Sequence, residues 1–285
     1  MTNVVRAAWL AVAALPSALQ SGGASVLSPF LVWAAWAFVA VAVLVPHPLS
    51  LSTVRFVAPL LVIHGGWLII IEPRSSGITD AERWGSVGGF FVMLTVAIAT
   101  YAATYGAAHA QAAAYGHERR HLLRPPISVI LPLVVVWLAV ATSGAVAVHA
   151  TSLVVAAIAT AIFAALTAFA LRRAMVLARR WLVFVPAGIA VHDPLMLRDT
   201  FMVRSQFVRA LHVAPPGTEA FDTTGTTWGV AIELVLSHPH DVSLSEFGAR
   251  IGRTLDRVHV TALLVAPSRP GRALANDAAG EHRTV

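Results

Sequence analysis

The chain has 285 residues and a mean hydropathy of +0.74, and only 12% of its residues are charged. A soluble globular domain carries about 25% charged residues, so the composition argues against a wholly water-soluble protein. The formal net charge is +6, and all basic residues are arginine, as in proteins from GC-rich genomes. Cysteine is absent, which excludes disulfides, a thiolate zinc site and a cysteine nucleophile.

The charged residues are unevenly distributed along the chain. Residues 1–171 hold few of them, whereas residues 172–285 hold most. This change in composition predicts two parts. We expect an all-α membrane bundle over residues 1–173 and a small α+β, mostly β, cytoplasmic domain over residues 174–275. The polar residues 276–285 are typical of a disordered tail.

Six apolar segments in the first part are candidates to cross a membrane, since a crossing needs about 20 mostly apolar residues. They cover residues 7–25, 26–45, 54–71, 86–106, 129–149 and 152–171. The first is interrupted by Pro16 and Gln20 and has the alternative of being a cleaved signal peptide, which would leave five. The last two are so close that they predict a tight helical hairpin.

The arginines indicate an orientation, because cytoplasmic loops are enriched in basic residues. Arginine-rich connections alternate with arginine-poor ones along the chain. This pattern predicts a multi-pass protein of the cytoplasmic (inner) membrane with both termini in the cytoplasm. Membrane lipids are then the first expected partner, and nucleic acid is not expected. Lipid phosphates are expected to contact Arg119, Arg120, Arg124, Arg172, Arg173, Arg179 and Arg180.

Four polar side chains in or just after the apolar segments predict an intramembrane polar site. His64 lies near the middle of the third segment, where an ionisable group is costly and usually faces the bundle interior. Tyr101, Tyr105 and His109 follow at helical i, i+4, i+8 spacing and would share one face. These residues suggest a small-molecule pocket or proton path, or else a hydrogen-bonded seam between helices.

The segment HERRH, residues 117–121, matches the zinc motif H-E-x-x-H. On a helix, His117 and His121 would bind one zinc ion and Glu118 would activate its water. The two central arginines would repel the ion, two prolines follow closely, and no third ligand is evident. The preferred interpretation is a cytoplasmic loop with no cofactor, and zinc is the alternative.

The hydrophilic part predicts several strands and one late helix. Strand patterns cover residues 181–185, 189–192, 201–204, 207–213, 228–236 and 259–265. A helix beginning after Ser243 or Ser245 is expected to run to about Arg257.

This order of elements resembles a bacterial pleckstrin-homology-like domain attached to membrane helices. Over the whole chain, YGHERRHLLRPP followed by RRWLVFVPAGIAVHDPLMLRDT resembles uncharacterised multi-pass membrane proteins of actinobacteria. The first resemblance implies an adaptor or lipid-proximal module rather than an enzyme.

Three functional hypotheses follow. The leading one is a non-enzymatic membrane protein that presents its cytoplasmic domain to a protein or lipid partner. The alternatives are a membrane zinc metalloprotease using HERRH and a small-molecule carrier using His64 and the tyrosine stripe.

Overall fold

The structure is a computed structural model, and it describes residues 1–19, 28–70 and 79–278. The chain forms two compact units. The first unit comprises Met1–Ala108 and Leu133–Ala174, and the second comprises His109–Pro132 and Met175–Val285. The second unit therefore takes a segment from between the apolar helices in addition to the C-terminal part that the composition indicated.

In the residues that the structure describes, seven α-helices precede the C-terminal part. They are α1 (Thr2–Ala11), α2 (Ser28–Leu44), α3 (Pro48–Ile70), α4 (Asp80–Thr100), α5 (Ala103–Ala112), α6 (Ile127–His149) and α7 (Leu153–Ala178). Within the described ranges, α3, α4, α6 and α7 are long and apolar enough to cross a membrane, whereas α1 and α2 are apolar but shorter. The last two apolar segments form two separate long helices, α6 and α7, joined by three residues.

The fourth apolar segment does not form one continuous helix. A capping box begins α4, with the Thr79 hydroxyl accepting from the Glu82 amide and Glu82 accepting from the Thr79 amide. The helix ends at Thr100, and α5 begins anew at Ala103. The junction between the first two apolar segments lies outside the described residues, as do residues 71–78, which follow α3.

The helices α1 and α2 are joined by reciprocal hydrogen bonds. The Trp9 indole donates to the carbonyl of Trp36 at 3.2 Å, and the Trp36 indole donates to the carbonyl of Trp9 at 3.3 Å. Arg6 donates to the carbonyls of Val43 and Leu44, which belong to the last turn of α2 and lack helical partners. The two indole N–H groups and the Arg6 guanidinium thus have hydrogen-bond acceptors, which matters because an unpaired donor is costly in an apolar environment.

Two four-stranded sheets build the second unit. The first has the order β1-β2-β3-β4 and is antiparallel throughout. Its strands are β1 (Arg119–Leu122), β2 (Trp181–Val185), β3 (Gly188–His192) and β4 (Phe201–Arg204). The second has the order β5-β7-β8-β6, in which only β6 and β8 are parallel. Its strands are β5 (Val208–Val213), β6 (Phe221–Asp222), β7 (Ile232–Ser243) and β8 (Arg257–Val265).

The two sheets share one hydrophobic core. Phe184 and Ile189 of the first sheet belong to the same buried cluster as Leu234 and Leu263 of the second. The broad prediction of apolar helices followed by a β-rich part is confirmed by these sheets and the four long helices.

Several boundaries in this unit differ from the predictions. The strand expected from Trp228 begins only at Ile232, because Gly229 adopts a positive φ of 82° in the preceding loop. The helix α8 (Glu246–Gly252) is capped by Ser245 as expected but ends early, at the left-handed Arg253. A further helix, α9 (Pro270–Ala278), includes residues 276–278, which were expected to be a disordered tail. The rest of that tail lies outside the described residues.

Candidate functional site

The first unit contains an apolar pocket of about 370 Å³. Four helices, α2, α3, α6 and α7, contribute its walls, which consist mainly of aliphatic and aromatic side chains. The polar groups among its lining residues are the imidazoles of His64 and His149, the indole of Trp67 and the hydroxyl of Thr167. No carboxylate, guanidinium or ammonium group is among these lining residues, so the walls suit an uncharged, largely apolar surface.

Three of the polar groups cluster together. The rings of Trp67 and His149 have centroids 4.6 Å apart, and those of His64 and His149 are 6.3 Å apart. His64 and Trp67 lie one turn apart on α3, and His149 is the last residue of α6. A ligand beside this cluster would meet ring nitrogens that can donate or accept hydrogen bonds, together with an aromatic face.

The Thr167 hydroxyl is a further polar group of the pocket, outside the cluster of His64, Trp67 and His149. A helical threonine usually donates to the carbonyl four residues earlier, as Thr160 does to Ala156 at 2.8 Å. The Thr167 hydroxyl is buried and has no hydrogen-bond partner within the described part of the chain. A buried hydroxyl without a partner is costly, and a ligand in the pocket would supply one.

The predicted polar stripe is only partly at this pocket. His64 lines it, but Tyr101, Tyr105 and His109 do not. Tyr101 follows the end of α4 and is exposed, while Tyr105 and His109 are fully buried on α5. The break after Thr100 separates Tyr101 from the helix that carries the other two.

The contributions of Trp67, His149 and Thr167 are not predicted from the sequence. His149 lies at the end of an apolar segment, where an imidazole costs less than at mid-span, so its sequence signal is weak. Thr167 gave no signal, because most helical threonines bond to their own helix.

The HERRH segment does not form a helix. Arg119–Leu122 is strand β1, and it pairs with β2 so that His121 lies opposite Leu182. The loop expected here is thus a sheet strand, and the i, i+4 helical spacing on which the zinc hypothesis rests is not formed. In the described residues no group of three or more His, Asp or Glu side chains is placed to hold a metal ion.

His121 is buried and its ring is engaged by protein groups. Its Nε2 lies 3.0 Å from the Asn276 amide nitrogen, which can only donate, so Nδ1 carries the ring proton. The ring also packs edge-to-face against Phe184 at 5.4 Å. Burial, with the charges of Arg272 and Arg269, lowers the pKa of His121 to about 4. The imidazole is therefore neutral at physiological pH and already used as an acceptor.

Glu118 and Arg120 form an ion pair rather than a catalytic arrangement. Arg120 Nη2 lies 2.7 Å from Glu118 Oε2, and the guanidinium also stacks 4.5 Å above the Trp181 ring. Partial burial opposes ionisation of Glu118, but hydrogen bonds from Arg120 and the Tyr115 amide and the charge of Arg120 outweigh it and lower its pKa. A carboxylate with a lowered pKa is a weak general base.

Arg180 does not form the lipid contact that the sequence predicted for it. Its side chain is only 1% exposed and forms a bidentate ion pair with Asp193, with distances of 2.8 and 2.7 Å. Nη1 also donates to the carbonyl of Arg124 at 2.7 Å. Arg180 therefore cannot reach lipid phosphates in this fold, and the prediction was wrong for it because charge alone does not reveal burial.

The remaining predicted arginine contacts differ in accessibility. Arg119, Arg172, Arg173 and Arg179 are exposed. Arg124 is half-buried and donates to the carbonyl of Val230, and burial lowers its pKa. The four exposed arginines are therefore accessible enough to contact lipid phosphates.

No protein-family model, curated protein or solved structure matches this chain. The resemblances noted from the sequence therefore stay predictions, and any function has to be argued from the sites themselves.

Proposed function

We propose that this chain is a non-enzymatic multi-pass membrane protein that binds an amphipathic small molecule in the pocket of its first unit. The observation that carries the proposal is the pocket itself, with about 370 Å³ of space among four apolar helices. Small-molecule sites are typically concave, mostly apolar and equipped with few polar groups, and their volumes begin at roughly 300 Å³. The pocket fits that description.

The polar groups define the class of ligand. The aliphatic walls favour an acyl or isoprenoid chain, whose burial is worth roughly 0.8 kcal/mol per CH₂ group. The cluster of His64, Trp67 and His149 favours an uncharged hydroxyl or carbonyl at one end. Thr167 offers an additional hydrogen bond. A neutral lipid-like molecule satisfies these requirements together.

Binding is a better-supported role for this pocket than catalysis. The lining residues offer two imidazoles and a hydroxyl, but no carboxylate to orient or activate them. A hydrolytic constellation needs a nucleophile, a base and a group that orients the base. The proposal thus extends the small-molecule carrier hypothesis and gives it different residues.

The membrane arrangement is part of the same proposal. The four long helices would cross the bilayer, with α1 and α2 contributing two further crossings to give six. Exposed Arg172, Arg173 and Arg179 follow the apolar part of α7 and support a cytoplasmic location for the second unit. Their charge also supports contact with anionic lipid, which is the lipid-partner part of the leading hypothesis from the sequence.

A photoreactive fatty alcohol tests the pocket, because its hydroxyl is uncharged. The purified protein would be placed in nanodiscs and labelled with a long-chain alcohol that carries a diazirine in its chain and a terminal alkyne. We expect saturable labelling of peptides from α2, α3, α6 and α7, prevented by excess oleyl alcohol. Labelling that never saturates, and that is spread evenly over all apolar helices, would show ordinary bilayer lipid and contradict the proposal.

Three variants localise the binding. Ala145→Leu adds side-chain volume at a pocket-lining position and is expected to abolish saturable labelling. Thr167→Val keeps the shape but removes the hydroxyl, which should weaken competition by oleyl alcohol roughly three- to tenfold. Thr160→Val is the matched control on the same helix, because that hydroxyl bonds to Ala156 and does not line the pocket. Equal labelling of Ala145→Leu and the unmodified protein would count against the pocket.

A further inference from the structure

In the second unit, residues 223–230 form a loop that is fastened to the residues directly before α6. The Thr227 hydroxyl donates to the carbonyl of Pro125 at 2.9 Å. Arg124 donates through Nη2 to the carbonyl of Val230. Gly225 packs so closely on Pro126 that an added Cβ would lie 3.1 Å from its ring. Three consecutive residues, 124–126, thus hold this loop, and α6 begins at the next one.

The loop has a fixed and costly backbone conformation. Gly225, Thr226 and Gly229 have φ angles of 64°, 62° and 82°. A left-handed conformation is unusual for a β-branched residue such as Thr226, and it persists only where the surroundings enforce it. At the start of the loop, the Thr223 hydroxyl donates to the carbonyl of Leu264 at 2.5 Å, and the Asp222 carboxylate accepts from the Thr224 amide at 2.7 Å. The loop is therefore preorganised rather than free to collapse onto the domain.

The large side chains that this loop exposes to its surroundings are apolar. The side chain of Trp228 is 50% exposed and that of Val230 is 49% exposed. A rigid loop that holds an indole and an isopropyl group away from the core gains nothing from them in water. Tryptophan is enriched at membrane–water interfaces, where its ring lies among the headgroups and its N–H reaches water or phosphate.

The position of the loop specifies which surface it would meet. α6 is a candidate membrane span of 23 residues, and its apolar window is only 6% buried within the protein. Residues in contact with Arg124, Pro125 and Pro126 therefore lie at the headgroup level of the bilayer that α6 enters. Exposed Arg179 adjoins Arg180, whose guanidinium bonds to the Arg124 carbonyl, so a positive charge suited to phosphate lies at the same junction.

We propose that residues 223–230 form a lipid-docking loop, in which Trp228 and Val230 insert between the headgroups of the membrane. The partner is the lipid surface, because the anchor residues of the loop immediately precede a membrane span. The docking fixes the second unit to the bilayer at a point additional to α6 and α7. It does not depend on whether the pocket of the first unit binds a ligand.

The absence of cysteine makes a direct test simple, because single cysteines can be placed in the full chain. Spin labels at Trp228→Cys and, separately, at Val230→Cys would be examined in nanodiscs of phosphatidylcholine and phosphatidylglycerol. The Val230 variant keeps the tryptophan, so the test does not depend on removing it. We expect both labels to be accessible to oxygen, which partitions into lipid, and poorly accessible to a water-soluble nickel chelate.

Two control positions calibrate the accessibility of a label in lipid and in water. Val135→Cys lies on α6, is 66% exposed within the protein and should report full lipid exposure. Leu255→Cys is 77% exposed and lies at the opposite end of β8 from Ala266, whose carbonyl accepts from the Arg124 amide. The nine residues of β8 separate these ends by about 30 Å, so the Leu255 label should behave as in water.

Three outcomes would overturn the proposal. Labels at positions 228 and 230 that are as accessible to nickel as the label at position 255 would place the loop in water. Protection from both reagents would indicate a protein contact, such as a second copy of this chain, instead of lipid. Nickel access at position 135 would show that α6 does not lie in the bilayer, which removes the premise. Thermal unfolding of each labelled variant confirms that its fold is retained.

Discussion

Arg180 and Asp193 form a bidentate ion pair with both side chains almost completely shielded from water, at 1% and 0% exposure. Arg180 follows α7 by two residues, and its third hydrogen bond is to the carbonyl of Arg124, three residues before α6. The Leu123 amide in turn donates to the Arg180 carbonyl at 2.9 Å. Arg180 thus links the segment that precedes α6 to the segment that follows α7, and Asp193 neutralises its charge.

Removal of the Asp193 carboxylate from this ion pair should strongly destabilise the second unit. Asp193→Ala leaves the Arg180 guanidinium buried without its counter-charge, and losses of this kind are about 3–5 kcal/mol. It also removes the acceptor for the amides of Leu195 and Met196. We expect a loss of that order in the free energy of unfolding of the second unit, measured by urea titration in detergent.

The exposed pair of Arg198 and Asp256 provides the matched control. Its atoms are 3.6 Å apart and its side chains are 57% and 67% exposed. Exposed pairs contribute at most about 1 kcal/mol, so Asp256→Ala should change stability little. Equal losses for Asp193→Ala and Asp256→Ala would show that burial of the Arg180–Asp193 pair has no special role.

The Tyr101 hydroxyl donates a hydrogen bond to a backbone carbonyl of α3 that lacks its helical donor because of a proline. Pro59 lies inside α3 and has no N–H, so the carbonyl four residues earlier, at Arg55, lacks its helical donor. The Tyr101 hydroxyl donates to that carbonyl at 2.7 Å. The Tyr101→Phe variant should therefore lose about 1 kcal/mol of stability, seen as a lower thermal midpoint in detergent.

A double-mutant cycle separates this explanation from general packing. Pro59→Ala restores an N–H that can bond to the Arg55 carbonyl within the helix, so the loss caused by Tyr101→Phe should shrink in that background. Tyr115→Phe, at an exposed position, is the neutral control. An undiminished loss in the Pro59→Ala background would disprove the role assigned to the tyrosine.

Features set by a local run of residues could be predicted from the sequence, whereas features that depend on distant pairing could not. The long helices α6 and α7 were predictable because an uninterrupted run of apolar residues indicates an apolar helix without reference to the rest of the chain. β1 was not, because Arg119–Leu122 becomes a strand only by pairing with Trp181–Val185, about sixty residues later. A charged segment that contains a histidine motif gives no local sign of such a partner.

The candidate pocket shows the same limit. His64 was identified because an imidazole within an apolar segment is unusual by itself. The importance of Thr167 depends on which face of α7 it occupies and on whether its hydroxyl bonds to its own helix. Both depend on packing against α2, α3 and α6, which the order of residues does not specify.

His121 should make the stability of the second unit depend on pH. Burial, together with Arg272 and Arg269, lowers its pKa in the folded state to about 4, whereas an unfolded histidine titrates near 6.5. Only the unfolded state then binds the proton between these values. The stabilisation is therefore fully present above pH 6.5 and is lost as the pH falls towards 4, by at most ~3 kcal/mol.

The variant His121→Gln isolates this contribution. Its amide oxygen can still accept from Asn276 but does not titrate in this range, so the decline in unfolding free energy from pH 7 to 4.5 should be smaller than in the unmodified chain. Burial also lowers the pKa of His192, so some decline will remain. An identical profile for His121→Gln would contradict the assignment.

Two adjacent glycines of α4 should respond in opposite ways to the same substitution. An added Cβ at Gly89 would overlap the side chain of Ala18, which belongs to the short 3₁₀ turn Pro16–Leu19 packed on α4. At Gly88 an added Cβ would meet nothing within 4 Å. Gly89→Ala should cost about 1–3 kcal/mol through overpacking, whereas Gly88→Ala should be neutral or slightly stabilising because alanine is the better helix former.

Thermal unfolding of both variants in detergent measures the difference. Because the two positions are consecutive, changes in helix propensity and in local composition are matched, and only the facing surface differs. A lower midpoint for Gly89→Ala alone would establish that the turn before Gln20 is packed against α4 in solution. Equal midpoints would mean that residues 16–19 do not occupy this position, and the packing of the N-terminal segment on α4 would have to be revised.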